Sequence, residues 1–262
     1  MLIGQDPNRW KRFMVSFVLF LIVAGMVMSN SMILQVLDSV FQALLAPNPN
    51  HTPNATYHIM VVVSFLGSPK MALVWMLIIT FFLWGFKYKV PALWAWLTLI
   101  VGDLLDEIVK YLAKRDRPLQ HPTGDHGYSF PSGHVMGTFL VAAVLFLIVV
   151  PLIKNAAVRV VCQLLLIMAV FLVAVSRIYL YAHYPFDTVG AMLLSYAWLQ
   201  ISARIKKSRP LRSKHAGVLT GCQCLRQDIR QLPRHMLVRN QFVELTNPHG
   251  IKVVQSHINR EH

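Results

Sequence analysis

The sequence predicts an all-α fold, a polytopic membrane protein with six transmembrane helices. Three observations carry this. Of its 262 residues 55% are hydrophobic and only 14% charged, whereas soluble domains carry nearer 25% charged residues. Several apolar runs reach the roughly 20 residues that cross a bilayer as a helix. Basic residues gather at alternate ends of those runs, as the positive-inside bias requires of cytoplasmic loops.

Arg9, Lys11 and Arg12 precede the first run and set the N-terminus in the cytoplasm. The first span covers about residues 13–36. It is too long for a signal-peptide core and lacks a small-residue cleavage site. The loop over 38–57 holds Pro47, Pro49 and Pro53 and no Lys or Arg, so it is assigned to the outer face. Gly67-Ser68-Pro69 interrupts the next run. Proline fits a helix start and not its middle. A short apolar piece over 59–66 is therefore expected at the interface, with the second span over 70–86 closed inside by Lys87 and Lys89. The third span is expected at 91–112, and the fourth at 132–150, ended by Pro151 and followed by Lys154 and Arg159. The fifth is expected at 158–175 and the sixth at 185–205. Six crossings return both termini to the cytoplasm.

The formal charge is +14, and 12 Lys or Arg against 3 Asp or Glu follow Ala203. No nucleic-acid motif accompanies this charge, so the stretch reads as a basic cytoplasmic tail near anionic lipid. The division is 1–206 for the membrane domain and 207–262 for a partly disordered tail. Cys162 sits in an apolar run as a small buried hydrophobe. Cys222 and Cys224, with His235 downstream, do not match common zinc spacings.

Five basic residues, Lys110, Lys114, Arg115, Arg117 and Arg177, run against the charge bias at the outer side. Charges placed against the topological grain point to function. Lys110 and Arg117 are seven apart, two helical turns, and Pro118 is expected to end the helix at Arg117. Arginine offers a planar fork to phosphate oxygens and lysine a point charge. Pro131-Ser132-Gly133-His134 opens an apolar run. Ser132 is a good N-cap residue, and the N–H groups of Gly133 and its successors form an anion site at the positive end of the helix dipole. His183 and Asp187 are four apart, one turn, so the carboxylate is expected to accept the Nδ1 proton and leave Nε2 to attack phosphorus.

Together the runs read Lys110-(YLAKRD)-Arg117-Pro118, Pro131-Ser132-Gly133-His134 and Ser176-Arg177-(IYLYA)-His183-(YPF)-Asp187. In every motif position and spacing this pattern resembles the type 2 phosphatidic acid phosphatase (PAP2) superfamily. The resemblance covers about residues 13–205. It implies a PAP2-like helical bundle of six spans and metal-independent dephosphorylation through a phosphohistidine. On these positions it makes His183 the nucleophile, Asp187 its orienting partner and His134 the general acid. It makes Lys110, Arg117, Ser132, Gly133 and Arg177 the phosphate binders.

The expected function is that of a bacterial-type membrane lipid phosphatase with its site at the outer face of the plasma membrane. Its substrate would be undecaprenyl pyrophosphate, phosphatidylglycerophosphate or phosphatidic acid, with the polyprenyl pyrophosphate slightly favoured by analogy. No cofactor or metal is expected, and the expected partners are the lipid substrate and membrane lipids, with neither nucleic acid nor an obligate protein partner. Two other readings use the same residues: a lipid phosphotransferase, and a non-catalytic transporter of anionic lipid. A soluble vanadium haloperoxidase shares the motif set, but the apolar spans argue against it. Asp103, Asp106 and Glu107 are expected to pair with Lys110 or Lys114. Asp125 and His126 are loop polarity, and Trp75, Trp84, Trp94 and Trp96 are packing residues and interface anchors.

Overall fold

The computed structural model describes residues 8–46, 54–120 and 127–205, which form helices and the turns between them, with no strand among them. The tail over 207–262, with Cys222, Cys224 and His235, lies outside the described residues, as do Asp125 and His126.

The first apolar run is two helices. Arg9–Met28 (α1) stops at Ser29, and Met32–Leu45 (α2) follows a turn in which Asn30 has φ 52°. An Asn tolerates that left-handed backbone better than most side chains. Residues 38–45, assigned from the sequence to a loop, are therefore helical. The reason lies along one face of α2. Leu34, Asp38 and Gln42, four apart, are buried, and Gln42 Nε2 donates to the Ile178 carbonyl at 2.6 Å. A tertiary partner accepts polar groups that lipid would not.

Ala55–Leu66 (α3) and Pro69–Gly85 (α4) meet at a bend of 56° over Gly67-Ser68. Ser68 caps α4 through Met71 N at 3.3 Å, and Pro69 takes the first helical position, where no N–H is needed. A Cβ at Gly67 would stand 2.6 Å from Val173 Cγ2, so glycine permits the close approach of the bend to the seventh helix.

Lys89–Ala113 (α5) is stopped by Lys114, in the left-handed conformation with φ 47°, so its last residue lies four before the Arg117 end expected from Pro118. Gly133–Val144 (α6) continues as one π-turn over Leu145–Val149 and a 3₁₀ turn over Val150–Leu152. Pro151 supplies no N–H and crowds the carbonyl four residues back, which accounts for the loosened ladder before it. Ala156–Tyr179 (α7) is capped by Asn155, whose side chain accepts from Ala157 N at 2.9 Å and Val158 N at 3.2 Å. Pro185–Ile205 (α8) closes the bundle.

Helix α6 is the centre. It packs on α4, α5, α7 and α8, while α1 lies along α8. Val135, Met136, Leu140 and Val144 are fully buried, and 56% of the α6 span is buried against 17% for α1 and for α7. The outward faces of α1 and α7 carry exposed Leu, Val, Ile and Phe, as helices bathed in lipid require. Arg9–Met28, Gly133–Leu152 and Ala156–Tyr179 are each long and apolar enough to cross a membrane, and the bent α3–α4 pair makes a fourth if counted as one span. Helices α5 and α8 dilute their apolar runs with the polar residues that build the site. Among the tryptophans, Trp94 is buried and donates to the Ser202 carbonyl at 2.8 Å, and Trp96 donates to Thr80 Oγ1 at 3.1 Å.

Candidate active site

Four chain segments meet at one end of α6. They are the last turns of α5 with the irregular stretch 114–118, the turn 129–132 entering α6, the end of α7, and the loop 180–184 entering α8. Main-chain bonds fix their meeting. Ser132 N donates to the Asp187 carbonyl at 3.2 Å, joining the starts of α6 and α8. Ser129 N donates to the Arg115 carbonyl at 2.8 Å, joining the stretch after α5 to the turn before α6. The Arg177 carbonyl accepts from Ala182 N at 3.0 Å and His183 N at 3.3 Å, while Tyr181 takes φ 56° to close that loop.

His183 is 1% exposed. Its Nδ1 lies 2.7 Å from the Ser129 carbonyl oxygen, which only accepts, so Nδ1 carries the proton. Nε2 then holds the lone pair, and Arg117 Nη1 donates to it at 3.2 Å. The Nδ1 proton therefore goes to a main-chain oxygen and not, as the i,i+4 spacing suggests, to Asp187, whose Oδ2 stands 3.6 Å away. Burial is the largest cause holding the His183 pKa down to about 4, and the nearby Arg177 and Arg117 charges add to it against the raising pull of Asp187. The ring is neutral at pH 7.

Asp187, also buried, is shared among three groups. Its Oδ1 takes Arg115 Nη1 at 2.6 Å and its Oδ2 takes Tyr184 N at 2.9 Å, beside the longer approach to His183. Arg115 also reaches Asp38 Oδ2 on α2 at 2.5 Å, and its guanidinium lies 4.2 Å from the centre of the Tyr184 ring.

The other motif cations come to the same place. Arg117 donates through Nε to the Gly127 carbonyl at 3.0 Å and through Nη1 to the Ala182 carbonyl at 2.9 Å. Arg177 is buried and donates to Ser64 Oγ of α3 at 2.7 Å. Lys110 Nζ is held by Asp106 Oδ2 at 2.6 Å and Glu107 Oε1 at 3.1 Å. A Cβ at Gly133 would lie 3.3 Å from Lys110 Nζ and 2.9 Å from Asp106 Oδ2, so the lysine sits against the first turn of α6 and a side chain at 133 would push into the pair. The charges of Arg177, Arg117 and Lys110 act on the His134 ring, which neighbours His183.

Ser132 stands at the N-cap position of α6, but its hydroxyl does not cap. The buried Oγ has no hydrogen-bond partner among the described residues. It lies beside the unpaired N–H groups of the first α6 turn, the donors a tetrahedral anion takes. All eight motif residues picked out from the sequence thus surround one end of α6.

Asp38, Ser64 and Ser129 are the members sequence reasoning missed, and Arg115, one of the five outer cations, carried a charge signal but no assigned role. Ser129 works through its carbonyl, which any residue owns, so no signal marks it. Asp38 had a signal: one carboxylate at four-residue spacing between Leu34 and Gln42 in an otherwise uncharged stretch.

The sequence model of the PAP2 superfamily matches residues 91–210, and the motif resemblance is thereby shown for that part of the chain. The fold is similar to the crystal structure of the first transmembrane PAP2 type phosphatidylglycerolphosphate phosphatase from Bacillus subtilis. That likeness has a TM-score of 0.65 and 22% identity, and covers 77% of this chain and 99% of that one. No curated protein matches the chain.

Proposed function

With residues 91–210 as a PAP2 segment, we propose that this chain is an integral membrane phosphatase. It removes the terminal phosphate of a lipid phosphate or lipid pyrophosphate through a phosphohistidine. The observation that carries the reading is the His183 ring, neutral, buried, with Nδ1 spent on a carbonyl and Nε2 turned to the arginine side of the site.

The chemistry divides among the residues as follows. Lys110, Arg117, Arg177, the Ser132 hydroxyl and the N–H of Gly133 take the phosphate oxygens, and Arg117 exchanges its bond to Nε2 for one of them. Such cations stabilise charge as it builds on the equatorial oxygens. The Nε2 lone pair attacks phosphorus in line, the bond to the leaving oxygen breaks, and His134 gives that oxygen a proton. Water then attacks the phosphohistidine, the N–P bond returns its pair to Nε2, His134 takes the water proton, and phosphate leaves. Asp187 keeps the imidazole oriented and balances its charge. No metal enters these steps.

The membrane setting belongs to the same reading. The chain is a multi-pass plasma-membrane protein with six crossings, cytoplasmic termini and the site at the outer face. Undecaprenyl pyrophosphate, phosphatidylglycerophosphate and phosphatidic acid are the candidate substrates. The fold likeness sets the second beside the first, which carrier recycling at an outward site favours by analogy.

A phosphate-release panel over those three lipids in a chelator tests the proposal. Release from at least one, lost by a factor of about 10³ or more in His183→Ala with insertion unchanged, is the expected result. Strict dependence on an added divalent metal, or a fully active His183→Ala, contradicts it. Phosphate recovered on a second lipid instead of free in solution marks the phosphotransferase.

A further inference from the structure

Two charged residues outside the three motifs converge on the nucleophile. Arg115 sits among the six residues between Lys110 and Arg117, and Asp38 lies on α2, well before the segment that matches the family. We propose that Asp38 and Arg115 form a clamp that positions His183 for attack, and that α2 is thereby part of the catalytic apparatus.

Arg115 holds the ring from both sides. On one side its guanidinium fixes Asp187 through Nη1 at 2.6 Å. On the other its carbonyl takes Ser129 N at 2.8 Å, and the Ser129 carbonyl takes the His183 Nδ1 proton at 2.7 Å. The same residue therefore orients the acceptor of the Nδ1 proton and the carboxylate behind it. Ser129 Oγ donates to the Asp116 carbonyl at 3.0 Å and pins the route again.

Asp38 completes the geometry. It is 1% exposed, and both oxygens are used: Oδ2 on Arg115 Nη2, and Oδ1 on Phe186 N at 2.9 Å. Phe186 N is one of the first α8 amides, which have no partner within the helix. Asp38 thus caps α8 from another helix and fixes the turn that carries His183 and Asp187. A buried carboxylate on an otherwise uncharged helix is costly unless paired. The bidentate arginine, spread between two carboxylates with its face on Tyr184, is a rigid pairing that lysine does not reproduce.

The charge balance yields a readout that simple stapling of α2 would not. Arg117, Arg177, His134 and Asp187 face His183, and Arg115 partly neutralises Asp187. Removing the arginine lets the full Asp187 charge act on His183, so the acid limb of kcat/KM moves to higher pH. Removing the Asp38 charge leaves the arginine less neutralised, so the limb moves to lower pH.

The clamp rests on the phosphatase reading, and the experiment keeps the two apart. Full-length wild type, Arg115→Gln, Arg115→Lys, Asp38→Asn and the Asp38→Asn/Arg115→Gln double variant are purified in nanodiscs. Phosphate release from the panel lipid that wild type hydrolyses is followed against lipid concentration and pH, with thermal unfolding alongside. Expected are about 10–100-fold losses in kcat for the single variants, as partners behind a reacting group give, with KM within about threefold. Arg115→Lys is not rescued, the acid limbs move in opposite directions, and the double variant is no worse than Arg115→Gln because both act through one unit. Should Arg115→Gln fail to fold, the isosteric Asp38→Asn alone decides through its kcat and its downward limb. Unchanged kcat overturns the clamp, and so does a kcat loss matched by lost folded protein with the limb unmoved. A wild type that releases no phosphate, or a His183→Ala as active as wild type, removes the phosphatase reading and the clamp with it.

Discussion

Histidine is the side chain whose charge moves most readily near neutral pH, and position 183 uses burial to keep it uncharged. Its pKa of about 4 lies below the usual value of 6.5 because water is excluded and two arginines stand nearby. The unfolded chain therefore binds more protons than the native one between those values. Stability from this group is fully present above pH 6.5 and is lost as pH falls toward 4. Reactivity follows the same sign, since protonation removes the Nε2 lone pair. The acid limb of kcat/KM, which reports the free enzyme, is expected below pH 5.5; a limb at 6.5 would show a solvated ring. Ser132 makes a second residue-scale case. Its hydroxyl is left out of the helix cap, so Ser132→Ala is expected to raise KM several-fold while the melting temperature stays within about 2 °C. An ordinary N-cap loss of about 1 kcal/mol would lower it more, because each kcal/mol is worth several degrees in a small domain.

Helix ends, more than helix bodies, decide where the site forms. Helix α5 stops through a left-handed Lys114, a conformation that costs roughly 1–2 kcal/mol for a residue with a Cβ. That early stop places Arg115 and Arg117 on a non-helical stretch, where one reaches Asp187 and the other His183. Continued as helix to Arg117, the chain would carry the two side chains about 200° apart around the axis. Helix α8 is positioned by a close contact: a Cβ at Gly190 would stand 2.4 Å from the Phe130 ring, immediately before Pro131 and Ser132. An aromatic ring cannot yield as a flexible side-chain tip does. Gly190→Ala is expected to destabilise by about 1–3 kcal/mol through overpacking, read as a lower melting temperature in detergent, and to lower phosphate release. Phe130→Leu in the same chain is expected to restore part of both.

At the scale of the molecule, the buried polar residues and the lipid-facing apolar ones trade the places they hold in a water-soluble protein. The bundle buries Asp187, His183, Arg177 and Asp38 at one end of α6 and exposes Leu, Ile and Phe along α1 and α7. One end of the bundle therefore carries the site, and Lys154, with Arg159 close by, lies past the other end of α6. The proposed six-crossing topology assigns these ends to opposite sides of the membrane. In a chain with its native cysteines replaced, Leu119→Cys, 96% exposed, is expected to react with an impermeant maleimide from outside intact cells. Lys154→Cys is expected to react only after permeabilisation. The reverse pattern would turn the site to the cytoplasm.

The fold class and most of the site were readable in the chain itself. Long apolar runs point to membrane helices, and the three motifs are set by residue type and spacing along the chain alone. The helices over 69–85, 89–113, 156–179 and 185–205 fall within a few residues of the expected spans. What tertiary structure alone decided is who answers whom. The Nδ1 proton of His183 goes to a carbonyl 54 positions away, Asp187 to an arginine 72 away, and that arginine to a carboxylate 77 away. Local spacing reports only neighbours along a helix, such as His183 and Asp187. Partners brought together by packing leave no periodic trace, and a main-chain acceptor leaves none at all.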